Sequence, residues 1–201
     1  MKVKVSFGKR FASYIIDFII VTVLLNLVSF VIPESKNLKN LNNEYNELTT
    51  EYVEKSEHTE EDVEEYMNAV APITYQIDRE NFLFSIAGIV VYILYFVIFQ
   101  YKNNGQTLGK KIMGIKVTKE DGEISINDFI FRSFIVNSVL FNMIILILLF
   151  TTKDATYISL VGILGIIQFV VVIVSAGMII FRKDKKALQD VVTNTKVVEV
   201  A

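Results

Sequence analysis

Four apolar runs limit what this chain can become: Phe11–Ile32, Phe82–Gln100, Phe129–Phe150 and Tyr157–Phe181. Crossing a hydrocarbon core about 30 Å thick takes roughly 20 helical residues. Backbone polar groups at that depth are satisfied only inside a helix or a closed barrel. The expected fold class is therefore an all-α polytopic membrane protein with four transmembrane helices. A chain that is 52% hydrophobic with a mean hydropathy of +0.45 fits that class. The first run is longer than a signal-peptide core, contains Asp17 and lacks a small-x-small cleavage pattern, so it is expected to be retained.

Charge sets the topology. Residues 1–32 form a basic flank and the first span, and residues 33–80 carry 13 acidic and 4 basic side chains. So acidic a loop belongs outside the cytoplasm. Lys102, Lys110, Lys111, Lys116, Lys119 and Arg132 follow the second span (81–101), and Arg182, Lys183, Lys185, Lys186 and Lys196 follow the fourth (157–181). The positive-inside rule puts both termini, the loop 102–128 and the tail 182–201 in the cytoplasm. The third span covers 129–150, with 151–156 as a short outer turn. The expected location is a cell membrane, with the lipid bilayer as first partner.

Within the acidic loop, Leu38, Leu41, Tyr45, Leu48 and Tyr52 recur at helical spacing. Thr59 and Asp62 form a capping-box start for a second helix, with Val63, Tyr66, Met67 and Val70 on its apolar side and Pro72 as its end. A break over 56–58 folds the two into an extracytoplasmic helical hairpin. On the other side, Ile115–Thr118 and Glu123–Ile126 alternate about Glu120-Asp121-Gly122, a hairpin signal. The tail 195–200 alternates too, as do Val3 and Val5, so a small cytoplasmic β element is expected. Ser125 and Asp128 are placed to cap the helix that follows.

Several chemistries are excluded by composition. The chain has no cysteine and one histidine, which removes disulfides, thiolate and histidine metal sites and cysteine nucleophiles. No cofactor, metal or nucleic-acid partner is expected. The stretch Gly105-Gln106-Thr107-Leu108-Gly109-Lys110-Lys111 is not a phosphate loop, because Asn104 replaces the first glycine and Lys111 the Ser/Thr that binds magnesium. It is expected to be a surface turn whose lysines lie near lipid phosphates. An enzyme is not expected, since only one acid lies within a clear apolar span.

That acid is Asp17. An ionised group at membrane depth is costly and marks ion or proton pathways. Side chains lean toward a helix's N-terminus, so Arg10, seven residues earlier, is poorly placed to reach it. Counting inward along the spans puts Tyr95, Asn137, Ser138 and Ser175 at comparable depth. These form the candidate ion- or proton-binding layer or, in the structural alternative, hydrogen bonds that fix helix packing, while Asn26, Asn142 and Gln168 lie elsewhere. Gly162, Gly165 and Gly177 are expected to be close-packing positions.

Three ordered motifs resemble the RDD family of bacterial membrane proteins, named for one arginine and two aspartates. They are Arg10-Phe-Ala-Ser-Tyr-Ile-Ile-Asp17, Gly105 through Val117, and Ala187-Leu-Gln-Asp190 followed by Thr195-Lys-Val-Val198. The resemblance makes Asp190 the second aspartate and marks Gly105, Thr107, Gly109 and Lys110 as a motif turn. It implies a bacterial cell-membrane location and a transport role. Arg10 is then expected to meet Asp190 at the cytoplasmic boundary as a gate or structural ion pair. The functional expectation is a small transporter or exchanger of monovalent cations and protons, enclosing its pathway most easily as a homo-oligomer. The alternative is a non-transporting accessory protein that binds a protein partner through residues 37–70.

Overall fold

The computed structural model describes residues 5–55 and 57–200 and is mostly helical. Helix α1 (Phe7–Val31) begins before the apolar run, because Ser6 accepts a hydrogen bond from the Lys9 amide and caps it. Arg10 thus sits in its first turn. Helices α2 (Lys36–Glu54) and α3 (Glu60–Glu80) pack on each other as a hairpin. The capping box forms: Asp62 N donates to Thr59 Oγ1 (3.1 Å) and Thr59 N to Asp62 Oδ2 (2.9 Å). Tyr66 stacks on Tyr52 across the pair.

Pro72 does not end α3 but lies inside it. An interior proline costs a helix about 3 kcal/mol. Here the flanking Val70, Ala71, Ile73 and Tyr75 are all buried, and that packing carries the helix through. One residue later α4 (Phe82–Lys102) begins, with a wider π turn over Leu94–Phe99. Helix α5 (Leu108–Ile112), strand β1 (Ile115–Lys119) and helix α6 (Ile126–Val136) follow. Then come α7 (Val139–Thr151), α8 (Asp154–Phe181), α9 (Leu188–Val192) and strand β2 (Thr195–Glu199).

The third apolar run is not one straight helix. Helices α6 and α7 are bent by 67° where Ser138 adopts a left-handed φ of 56°. Three helices, α1, α4 and α8, are long and apolar enough to cross a membrane, and the bent pair makes up to four. This is a multi-pass membrane protein with a small two-stranded sheet.

The sheet is not the local hairpin expected around Asp121-Gly122. Residues 123–125 lead into α6 instead, where Asp128 accepts from the Ser125 amide at 2.8 Å. β1 pairs antiparallel with the distant β2, Val117 opposite Val197. Val5, buried completely, packs with Val97, Ile115, Val117, Phe129 and Val197. It is in no strand, and the expected strand residues before it, Val3 included, lie outside the described residues, as does Ser56 in the hairpin break.

The order of elements repeats. Helix α9 and strand β2 each lie 80 residues after α5 and β1, boundary for boundary. In the sheet, Val117 faces Val197, its own counterpart under that offset, which is the register of a two-fold relation. The helix start Phe11-Ala-Ser13-Tyr-Ile-Ile-Asp17 has its match in Phe131-Arg-Ser133-Phe-Ile-Val-Asn137. Each half is thus an apolar helix pair followed by a short helix and a strand. The acidic hairpin is an insertion in the first half.

Candidate functional site

Asp17 lies about two-fifths of the way along α1 and is 1% exposed. Tyr95 of the π turn donates its hydroxyl to Oδ1 at 2.7 Å, and the Gly109 amide donates to the same oxygen at 2.8 Å. Thr107, the N-cap of α5, donates to Oδ2 at 2.6 Å. Lys110 Nζ stands 3.7 Å from Oδ2 and 3.3 Å from Thr107 Oγ1. Tyr95 also accepts from the Leu108 amide at 3.2 Å, so the start of α5 is fastened to both spans. Buried carboxylates need this many donors, because desolvation of an unpaired charge is severe.

Glycine is required at 109. A Cβ there would lie 2.2 Å from the Ser13 carbonyl and 2.7 Å from Asp17 Oδ1, so α5 touches α1 backbone to backbone. Gly105 has φ +83°, and a Cβ would lie 2.2 Å from the Val117 carbonyl. The buried Gln100 donates to the Gly105 carbonyl at 3.1 Å and holds the loop down. The motif is therefore not a surface turn. Lys110 turns inward with a side chain only 17% exposed, and burial brings its ammonium down to about 8. Asp17 opposes that shift and the charge of Arg132 adds to it.

A second charged group adjoins the first. Asp190, fully buried, accepts from Arg10 Nη1 at 2.6 Å on Oδ2 and from Arg132 Nη1 at 2.5 Å on Oδ1. Arg132 also donates to Thr195 of β2. The Ala187 amide adds a third donor at 3.0 Å. Burial would raise the Asp190 carboxyl, but the Arg132 and Arg10 charges outweigh it and hold it below the usual carboxylate range.

Of the candidate polar layer, only Tyr95 reaches Asp17. Asn137 donates to Ser133 Oγ at 3.2 Å, Ser138 forms the break between α6 and α7, and Ser175 donates to Gln189 Oε1 at 2.6 Å. The other groups around Asp17, the Thr107 hydroxyl, the Gly109 amide and the Lys110 ammonium, come from the loop motif. Their sequence signal was the match of Thr107 and Gly109 to a motif, without a partner to attach it to. Arg132 counts as a basic flank by charge alone, yet it lies inside the third apolar run, where a charge calls for a partner. Gly162 and Gly165 are not packing positions among the described residues, since a Cβ at either meets nothing within 4 Å.

Two cavities flank the site. One of about 270 Å³ lies among α1, α6 and α8 and is lined by Arg10, Ser13, Lys110, Arg132 and Ser175 among others. The second, about 260 Å³, lies toward the hairpin end between Asp78, Tyr92, Asn142 and Tyr157. There Tyr157 donates to Asp78 at 2.8 Å, and burial pushes the Asp78 carboxyl up against that bond. No cluster of metal-ligating side chains occurs among the described residues.

Comparison with known proteins matches residues 4–194 to the model of the RDD family. No curated protein and no solved structure matches the chain.

Proposed function

Since the chain belongs to the RDD family, we propose that it is a membrane carrier exchanging monovalent cations for protons, with Asp17 as the cation-binding group and Lys110 as the proton carrier. One observation carries this reading. The Lys110 ammonium is itself a monovalent cation, held by Thr107 Oγ1 and the buried Asp17 Oδ2 at the wall of the cavity of about 270 Å³. Its proton is loosely held, at about 8. When Lys110 loses that proton to the adjoining cavity, its neutral amine leaves Asp17 without a counter-ion. A bare cation fits the same two oxygens and restores the balance. Reprotonation of Lys110 expels it. The charge of the site stays constant, so the exchange is one cation for one proton. Arg10 and Arg132, clamped on Asp190, keep the sheet and short helices seated over this site. The basic bias of that end supports a cytoplasmic orientation in a bacterial cell, with residues 33–80 outside.

A second reading has its own support. Both oxygens of Asp17 already accept hydrogen bonds from protein donors, the arrangement of a purely structural staple. In that case the chain is an accessory protein whose outer hairpin docks a partner. Flux in reconstituted vesicles separates the two. Under a sodium or potassium gradient the wild type moves protons, and Asp17→Asn and Lys110→Met, purified as assembled protein, do not. Equal flux in Asp17→Asn and wild type overturns the exchange reading.

A further inference from the structure

The repeat gives the Asp17 site a counterpart in the second half. Ser13 corresponds to Ser133, Asp17 to Asn137, Tyr95 to Ser175 and Gly109 to Gln189. The contacts fall at neighbouring positions as well: Tyr95 touches the start of α5 at Leu108, one residue before Gly109, and Ser175 touches α9 at Gln189. One of these exchanges removes bulk and another removes charge: a serine replaces the phenol ring, and an amide of the same size replaces the carboxylate. Ser133, Asn137, Ser175 and Gln189 all line the cavity of about 270 Å³, whereas Asp17 and Tyr95 do not.

The cavity's charge is one-sided. Arg10, Lys110 and Arg132 line it, and no carboxylate does. These three cations share only two carboxylates, Asp17 and Asp190, both behind the wall. Arg10 Nε is buried with no hydrogen-bond partner among the described residues. In the first half a protein carboxylate fills the corresponding place, and in the second half Asn137 leaves it without an anion.

The rest of the wall is apolar and continues outward. Phe11, Tyr14 and Val172 line the cavity and are themselves 53%, 43% and 43% exposed, on helices α1 and α8 whose outer faces suit lipid. A cavity near the low end of small-molecule sites holds a head group and the roots of its chains, not a whole lipid.

We propose that this cavity binds the anionic head group of a membrane phospholipid, its phosphate between Arg10 and Arg132 and its acyl chains along Phe11, Tyr14 and Val172. Arginine suits this ligand, since its planar fork matches phosphate oxygens in pairs. The proposal stands independently of cation exchange at Asp17, because it uses the arginines and the second-half polar side chains.

The test uses the full chain purified in a mild non-ionic detergent, with phosphatidylglycerol, chain-matched phosphatidylcholine and inorganic phosphate as probes. Thermal midpoints and native mass spectrometry are the readouts. Phosphatidylglycerol is expected to raise the midpoint and remain bound at one per chain, and phosphatidylcholine to do neither. Ala176→Phe fills the apolar side of the cavity without touching a charged group and should weaken retention at least tenfold at an unchanged lipid-free midpoint. Arg132→Gln should weaken it too, though it also loosens Asp190. Equal binding of phosphatidylcholine, full protection by inorganic phosphate alone, retention unaffected by Ala176→Phe, or a dimer that closes the cavity with a second copy would each overturn the proposal.

Discussion

Gly109→Ala tests how tightly α5 is seated on α1. The new Cβ would lie 2.2 Å from the Ser13 carbonyl, a backbone atom of a long helix that cannot swing aside. Reaching ordinary contact at 3.4 Å moves α5 by roughly 1.2 Å. The same movement stretches the Gly109 N to Asp17 Oδ1 bond from 2.8 Å to about 4 Å, beyond hydrogen-bond range. Overpacking costs about 1–3 kcal/mol and a bond to a charged group about 1.5–3 kcal/mol, offset by about 1 kcal/mol of helix propensity. The net is about 1.5–5 kcal/mol of destabilisation. For a chain of this length that lowers the thermal midpoint by about 3–20 °C. The assay is thermal unfolding of purified protein in detergent, followed by circular dichroism. Gly162→Ala is the control, since its Cβ meets nothing within 4 Å and should leave the midpoint unchanged or slightly raised. A Gly109→Ala midpoint matching that control would refute the backbone-to-backbone seating.

Asp190→Asn leaves Arg10 and Arg132 facing each other without a carboxylate and should cost about 3–5 kcal/mol, read as the same midpoint shift. The folded Asp190 carboxyl sits below its usual range, so its contribution is complete above the ordinary carboxylate pKa and is lost as pH falls through the folded value. The wild type should therefore weaken in acid more steeply than Asp190→Asn. Lys110 has the opposite sense. Its folded ammonium titrates near 8 and its unfolded one near 10.5, so between these values the unfolded chain binds more protons and stability rises with pH. Stability measured from pH 7.5 to 10.5 should show this rise in the wild type, and Lys110→Met should abolish it.

How much was legible in advance follows the range of the interactions. Three of the four spans and the Thr59 cap rest on local signals, apolar length and a capping motif, and the helices follow them. Asp17 could be singled out because its cost in an apolar run is visible without a partner. The Arg10 and Asp190 pair was legible only through motif resemblance, since 180 residues separate them. The seat of α5 on Asp17 was not, because glycine at 109 reports a close approach without saying what approaches. The helix expected to end at Pro72 continues because tertiary burial outweighs the local penalty. The strand expected after Gly122 gives way because β2, far along the chain, takes the edge of β1. The break at Ser138 has no proline or glycine to announce it.

The central claim is that a cation displaces the Lys110 ammonium from Asp17. Proton release on cation binding measures this directly, in weakly buffered detergent solution with a pH dye, as sodium or potassium is added. The expected result is close to one proton per bound cation at pH 7, falling toward none as pH rises well above 8, where Lys110 is already neutral. Lys110→Met should release none. Cation binding at pH 7 without proton release, or equal release from Lys110→Met, would contradict it.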